Sequence, residues 1–158
     1  MHRLDYDQLC FPVLWIGERD ARASFELRHL RSGLLPLRKA GFLKSGCLVD
    51  SHMQRWKVEE VVESGVAPWF FGYRWPGGKL LLLDYLVDSP PVPVTISEVA
   101  DLIHSAFRRG KHFRNMVDSP ARMKDAMKQC RTFKELLDYF RIRPKPAWKW
   151  YVSERGSM

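Results

Sequence analysis

The stretch "PWFFGYRWPGGKLLLLDYLVD", residues 68–88, has two apolar halves on either side of a Pro-Gly-Gly sequence. Proline and glycine in this order favour a turn, and the flanking residue types favour β-strands. A three-residue loop at 76–78 places Trp75 opposite Lys79 in the predicted hairpin. Alternation then gives one face without a polar residue, made of Trp69, Phe71, Tyr73, Leu81, Leu83, Tyr85 and Val87. Such a face must be covered by another layer of the protein.

Three helices predicted downstream are expected to supply that cover. Thr95 and Glu98 have the spacing of a capping box, and Thr132 and Glu135 repeat it. Between them, Ser119-Pro120 is typical of a helix start. Apolar residues follow each start at helical spacing. A run of strands followed by helices indicates the α+β class.

Further strands are predicted upstream of the hairpin. The runs "FPVLWIG" at 11–17, "SGCLVD" at 45–50 and "QRWKVEEVV" at 54–62 are rich in strand formers, and a bulge near Glu59-Glu60 would keep Val61 on the face of Trp56. Residues 18–31 suit helix and strand equally, so they stay unassigned. Ser32 is expected to cap a short helix over 33–41.

The whole pattern predicts one α+β domain at 1–142, an antiparallel sheet of about four to five strands with three C-terminal helices, and a Pro-broken tail at 143–158. A chain of 158 residues is long enough to bury a core without staples. It shows neither a secretory signal nor an apolar run of membrane length, so we expect a cytoplasmic protein that does not bind a membrane.

Asp50, Ser51 and His52 are the residue types of a hydrolytic triad, but they are consecutive. Triad members usually come from separate elements, because their side chains must meet in one line of hydrogen bonds. Neighbouring residues of an extended chain point to alternate sides, and no G-x-S-x-G elbow surrounds Ser51. We interpret the three residues as the turn between two strands. The protein is expected to be no enzyme.

The three cysteines indicate no metal or cofactor site. Cys10, Cys47 and Cys130 are far apart, and no histidine stands at ligand spacing from them. A nucleophilic Cys47 paired with one of the scattered histidines is not excluded by spacing, but a buried cysteine is more often a small hydrophobe. We therefore predict no catalytic residues, no metal and no cofactor.

The net charge of +8 is concentrated in the C-terminal third. Residues 104–150 carry 13 Lys/Arg and 4 Asp/Glu, a balance of +9, whereas residues 1–103 carry 12 and 13. Such an asymmetry indicates a binding surface for an acidic partner. The predicted partner-binding residues are Arg108, Arg109, Lys111, Arg114, Lys124, Lys128, Trp148 and Trp150.

Two partner classes fit this surface. Basic groups beside aromatic rings can bind nucleic acid through phosphates and stacked bases. An acidic protein surface fits the same charges. No signature of an RNA-recognition, KH or helix-turn-helix domain accompanies the charge, so a protein partner is favoured and a nucleic-acid-binding domain is the alternative.

Several short motifs between residues 40 and 109 carry a resemblance. They are "GF" at 41–42, "VDS" at 49–51, the basic-aromatic "QRWKV", the aromatic "GVAPWFFGY" and the helix start "ISEVAD". In these the chain resembles a group of small bacterial proteins similar to the immunity proteins of toxin systems. The resemblance implies that the protein binds and blocks a cognate toxin without catalysis. It also implies a glycine after Asp50-Ser51, where this chain has His52-Met53-Gln54.

Overall fold

A computed structural model describes residues 1–34, 44–66, 74–75, 78–110 and 119–142. It confirms the α+β class with an antiparallel sheet. The helices are α1 (Leu27–Leu30), α2 (Ile96–Gly110), α3 (Pro120–Gln129) and α4 (Phe133–Ile142). The strands are β1 (His2–Arg3), β2 (Val13–Gly17), β3 (Ala21–Ser24), β4 (Ser32–Leu34), β5 (Gly46–Val49), β6 (Gln54–Val66), β7 (Arg74–Trp75), β8 (Gly78–Val87) and β9 (Val92–Pro93).

The predicted numbers of elements were wrong. The described residues contain nine strands, eight of them in one sheet with β7 paired to the start of β8, and four α-helices. The additional elements are only two to four residues long, too short for a periodic pattern to reveal. β3 and α1 fall in the unassigned stretch, and Ser32 begins β4 instead of capping a helix. The remainder of that predicted helix and the tail at 143–158 lie outside the described residues.

Two hairpins were predicted, and one has a different register. β5 and β6 pair around residues 50–53 as expected, with Val49 opposite Arg55. The register of β6 with β8 shifts between Val58 and Glu60, which confirms the predicted bulge. In the second hairpin Trp75 lies opposite Gly78 instead of Lys79, so the connection has two residues instead of three. The expectations for Trp69, Phe71 and Tyr73 fall outside the described residues.

The sheet is strongly curled. Its order is β1-β8-β6-β5-β2-β3, so three strands separate β3 from β8. Even so, Arg22 on β3 donates a hydrogen bond to Tyr85 on β8, with 2.9 Å between Nη2 and Oη. The rings of Trp15 on β2 and Tyr85 are 5.5 Å apart between centroids. Side chains of distant strands therefore meet in a concave interior.

The predicted apolar face of β8 is buried, but the helices do not cover it. Leu81, Leu83, Tyr85 and Val87 are at most 2% exposed. They pack in the concave interior against Trp15, Leu48, Trp56 and the N-terminal Leu4 and Leu9. The helices pack instead on the opposite face, against Leu14, Ile16, Ala21, Ala23, Cys47 and Val49. The expected cover was wrong because the sheet closes over its own larger side chains.

The helix starts follow the sequence signals. Thr95 and Glu98 exchange hydrogen bonds through both side chains, and the Ser119 hydroxyl accepts from the Arg122 N–H. Thr132 accepts from the Glu135 N–H, while the Glu135 carboxylate accepts from the Arg131 N–H. These contacts satisfy first-turn N–H groups that have no partner inside a helix. No helix in the described part of the chain is long and apolar enough to cross a membrane.

Candidate functional site

The triad-like residues build the turn between β5 and β6. The Asp50 carboxylate is 1% exposed and accepts hydrogen bonds from the N–H groups of Cys10 (3.2 Å), His52 (3.0 Å) and Gln54 (3.0 Å). The Ser51 hydroxyl donates to the Cys10 carbonyl at 2.9 Å. Asp50 therefore organises the turn, and together with Ser51 ties it to the N-terminal segment.

The backbone conformation of this turn explains why a glycine was expected after Asp50-Ser51. Met53 has a φ of 59°, in the left-handed region that glycine adopts most easily. Its side chain packs against the helix-side core. The chain therefore keeps a backbone conformation suited to glycine while using a larger side chain for packing.

A cleft of about 480 Å³ lies beside this turn. Its lining is mainly apolar and includes Pro12, Phe25, Phe133 and Leu137, with Ser51 at one side. The Ser51 hydroxyl already gives its hydrogen to Cys10. No histidine or cysteine lines the cleft. Its described lining thus offers no nucleophile paired with a histidine base.

Cys47 lies on β5 against the helices, where it is 9% exposed. Burial raises the pKa of its thiol from 9.0 to about 11, although Arg55 acts in the opposite direction. The thiolate is the nucleophilic form of cysteine, so a raised pKa makes the residue inert. Among the residues that the structure describes, no group of three or more His, Cys, Asp or Glu is placed to hold a metal ion.

The inertness of Cys47 gives a direct prediction. A pKa of about 11 instead of 9.0 lowers the thiolate fraction about a hundredfold, and burial further limits access. Alkylation of Cys47 by iodoacetamide at pH 8 should be at least about a hundredfold slower in the folded protein than in urea. Peptide mass spectrometry would measure both rates. Equal rates would show an accessible, ionised thiol.

The predicted partner-binding residues are only partly described. Arg108 and Arg109 are exposed in the last turn of α2, and Lys124 and Lys128 lie on α3. The structure brings Arg108, Lys124 and Lys128 into one area, since Lys124 and Arg108 both act on His104 of α2. Lys111, Arg114, Trp148 and Trp150 lie outside the described residues.

Asp101 and His104 lie among these basic residues, although neither was predicted to belong to the surface. The Asp101 carboxylate is 3.1 Å from the ammonium groups of both Lys124 and Lys128. Hydrogen bonds from these lysines lower the pKa of Asp101. Asp101, His104 and Arg108 share one side of α2, because their spacing of three and four residues matches the helical repeat. This spacing was the feature of the sequence that could have placed Asp101 and His104 on the same side as Arg108.

We call this set, Asp101, His104, Arg108, Lys124 and Lys128, the helix-pair strip. Burial lowers the pKa of His104, and Lys124 and Arg108 lower it further, so the imidazole is neutral at neutral pH. Three cations and one carboxylate leave the strip with a net charge of +2. The strip runs from α2 to α3, and none of its five residues belongs to the buried residues of either helix.

A second polar cluster lies at the edge of β8 and was not predicted. The Asp84 side chain is fully buried and accepts hydrogen bonds from Tyr6 Oη (2.9 Å) and Arg31 Nη2 (2.8 Å), and Arg3 Nη2 is 3.0 Å away. The Arg31 guanidinium also lies 5.0 Å from the centre of the Tyr6 ring. The cluster joins the N-terminal segment, the start of β4 and β8. Tyr6, Arg31 and Arg3 each contact the Asp84 carboxylate, so we assign the cluster to stability.

Comparisons of this chain with protein-family models, with curated proteins and with solved structures found no match.

Proposed function

We propose that the protein is a non-catalytic protein-binding module that presents the helix-pair strip to an acidic surface of its partner. The resemblance to immunity proteins makes a cognate bacterial toxin the proposed partner. The observation that carries the proposal is the pairing of both Lys124 and Lys128 with the Asp101 carboxylate, with Arg108 close to His104 on the same side of α2. A net positive strip steers an acidic partner into place and raises the association rate.

The candidate nucleophiles support the same proposal. Ser51 and Asp50 are engaged in building a turn, and the Cys47 thiol is buried with a raised pKa. A nucleophile needs an adjacent base or a lowered pKa to be activated. None of these three side chains has that arrangement in the described structure. Binding through a surface needs no such chemistry.

Charge reversal on the strip provides the test. We expect the double variant Arg108→Glu/Lys128→Glu to lower the association rate with the partner by about tenfold or more, because the local charge changes sign. The matched control is Arg19→Glu/Arg122→Glu, which makes the same change of net charge at exposed positions outside the strip. Wild type and control should recover one main nuclease-resistant protein from the source cell, and the strip variant should lose it.

A basic nucleic-acid-binding domain is the alternative outcome of this test. Each phosphate neutralised by a lysine or arginine releases counterions, so affinity would fall by orders of magnitude between low and moderate salt. Binding to a protein depends mainly on a few buried anchors, and salt changes its affinity less. Recovery of nucleic acid that disappears on nuclease treatment, with no protein left, would contradict our proposal.

A further inference from the structure

The cleft beside the turn between β5 and β6 offers an apolar surface to a ligand. Phe133 and Leu137 of α4 contribute buried side chains to its lining, and Pro12 and Phe25 contribute partly exposed ones. Its volume of about 480 Å³ lies in the range of pockets that bind ligands in proteins. Apolar lining gains free energy when an apolar group displaces water from it. The cleft is therefore suited to a large apolar side chain.

Hydrogen bonds hold the sides of the cleft in place. Ser51 lines the cleft and donates its hydroxyl hydrogen to the Cys10 carbonyl, while the Asp50 carboxylate accepts from the Cys10 N–H. Cys10 is two residues before Pro12, so these bonds fix the N-terminal segment at the edge of the cleft. The Thr132 hydroxyl accepts from an N–H in the first turn of α4. A site that is organised in advance loses less conformational entropy on binding.

Exposed cations connect the cleft with the helix-pair strip. Lys128 of the strip, Arg131 and the cleft residue Lys134 are exposed and follow one another at intervals of three residues. Arg131 and Lys134 take part in no ion pair among the described residues. They favour a carboxylate beside the bound apolar group. Asp138, one turn further along α4, lines the cleft as well and can accept a backbone N–H from a bound segment.

The strip and the cleft are close enough for one partner to cover both. The four residues from Lys128 to Thr132 can span at most about 15 Å. A standard protein interface covers about 800 Å² on each partner, which corresponds to a patch about 30 Å across. Charges at an interface mainly steer association, whereas a few buried anchors supply most of the affinity. A partner attracted by the strip would find a pocket for such an anchor beside it.

We propose that the cleft holds one large apolar side chain, such as phenylalanine or leucine, from an acidic segment of the protein partner. The inference rests on the proposed function, because the strip supplies the attraction for that partner. Lys134 pairs with a carboxylate next to the anchor, and the Asp138 carboxylate accepts a backbone N–H of the same segment. The partner is thereby defined as an acidic segment with an exposed apolar residue.

The test adds blocked pentapeptides to the full chain and records nitrogen-proton correlation spectra. The peptide Asp-Glu-Phe-Glu-Asp should shift the amide cross-peaks of Ser51, Phe133 and Leu137 in a saturable way. Asp-Glu-Ala-Glu-Asp should bind at least about tenfold more weakly, because it buries no ring. Lys-Lys-Phe-Lys-Lys should also bind at least about tenfold more weakly, because its charges are repelled by Lys134 and Arg131.

Two variants locate the bound peptide. Asp138→Phe fills the cleft with a ring without removing a buried side chain, so saturable binding of the phenylalanine peptide should be lost. Lys134→Glu reverses an exposed charge, should weaken binding by about tenfold, and keeps the test valid if Asp138→Phe does not fold. Arg19→Glu makes the same change of charge at the opposite end of the β2–β3 hairpin from Pro12 and Phe25. This control should leave the affinity unchanged.

Equal affinity for the phenylalanine and alanine peptides, or cleft cross-peaks that do not shift, would overturn the inference. Cross-peaks that shift with protein concentration instead of peptide would overturn it in favour of a second copy of the chain. The proposed function fails separately, if Arg108→Glu/Lys128→Glu retains the partner while the phenylalanine peptide still binds the cleft. Loss of the partner in that strip variant but not in Asp138→Phe would overturn the cleft inference alone.

Discussion

Leu83→Asp is expected to eliminate soluble, folded protein. Leu83 is fully buried in the concave interior, packed in the same cluster as Trp15, Tyr85 and Val87. The substitution removes apolar packing worth about 2–5 kcal/mol and adds a carboxyl group that must be desolvated at a further cost of several kcal/mol. Domains of this size are stable by about 5–15 kcal/mol. The combined loss should exceed the free energy of unfolding of the domain, so the variant should not fold.

The matched control for this variant is Leu82→Asp. Leu82 directly precedes Leu83 on β8, so its side chain points to the other side of the sheet, where it is only partly buried. Arg22, the cation of the interior, is already bonded to Leu30, Ser32 and Tyr85 and would have to leave them to pair with a new carboxylate. Soluble yield and circular dichroism measure the result. A well-folded Leu83→Asp protein would contradict the assigned interior.

The features predicted well from the sequence are local. Capping residues act within one helical turn, so Thr95 with Glu98 and Ser119 with Pro120 fixed the starts of α2 and α3. The alternation of side chains along a strand is also a local pattern, and it identified the buried side of β8. The layer that covers this side depends on how far the sheet curls, which no local pattern contains. The curl is seen in contacts between residues far apart in the sequence, such as the hydrogen bond from Arg22 to Tyr85, 63 residues away.

The candidate site was predicted to a similar extent. A count of charges placed Arg108, Lys124 and Lys128 on a basic surface, since exposed cations are visible in composition and helical spacing. The count assigned Asp101 to the nearly neutral first part of the chain, residues 1–103. Only the packing of α2 beside α3 shows that its carboxylate joins both lysines. Asp84 was likewise not predicted to join a polar cluster, because its partners Tyr6 and Arg31 are 78 and 53 residues away.

Asp84→Asn is expected to cause the largest loss of stability among polar substitutions in the described structure. The buried carboxylate joins Tyr6, Arg31 and Arg3, and its removal leaves Arg31, itself only 23% exposed, without its opposite charge. Breaking a buried ion pair from one side costs about 3–5 kcal/mol, and the exposure of Arg3 reduces this to about 2–4 kcal/mol here. Urea unfolding would measure the difference.

The pH dependence separates charge from packing in this cluster. Burial by itself raises the pKa of Asp84, but the hydrogen bond from Tyr6, the nearby Ser64 hydroxyl and the charges of Arg31 and Arg3 outweigh it and hold the pKa below its usual 3.8. A carboxyl whose pKa is lowered by folding stabilises the native state above its unfolded pKa. It loses this contribution as the pH falls through the folded value. The stability difference between wild type and Asp84→Asn should therefore stay constant from about pH 5 to 8 and shrink below about pH 4.

Asp88→Asn is the matched control, because Asp88 is an exposed carboxylate near the end of the same strand. It removes the same charge without disturbing a buried group, so its effect on stability should be much smaller than that of Asp84→Asn. A difference for Asp84→Asn that is equally small, or that does not change between pH 3 and 7, would mean that the carboxylate charge is not what holds Arg31. In that case the N-terminal segment would be fixed to β8 by the buried side chains of Leu4 and Leu9 and by the Leu4 N–H bond to the Tyr85 carbonyl.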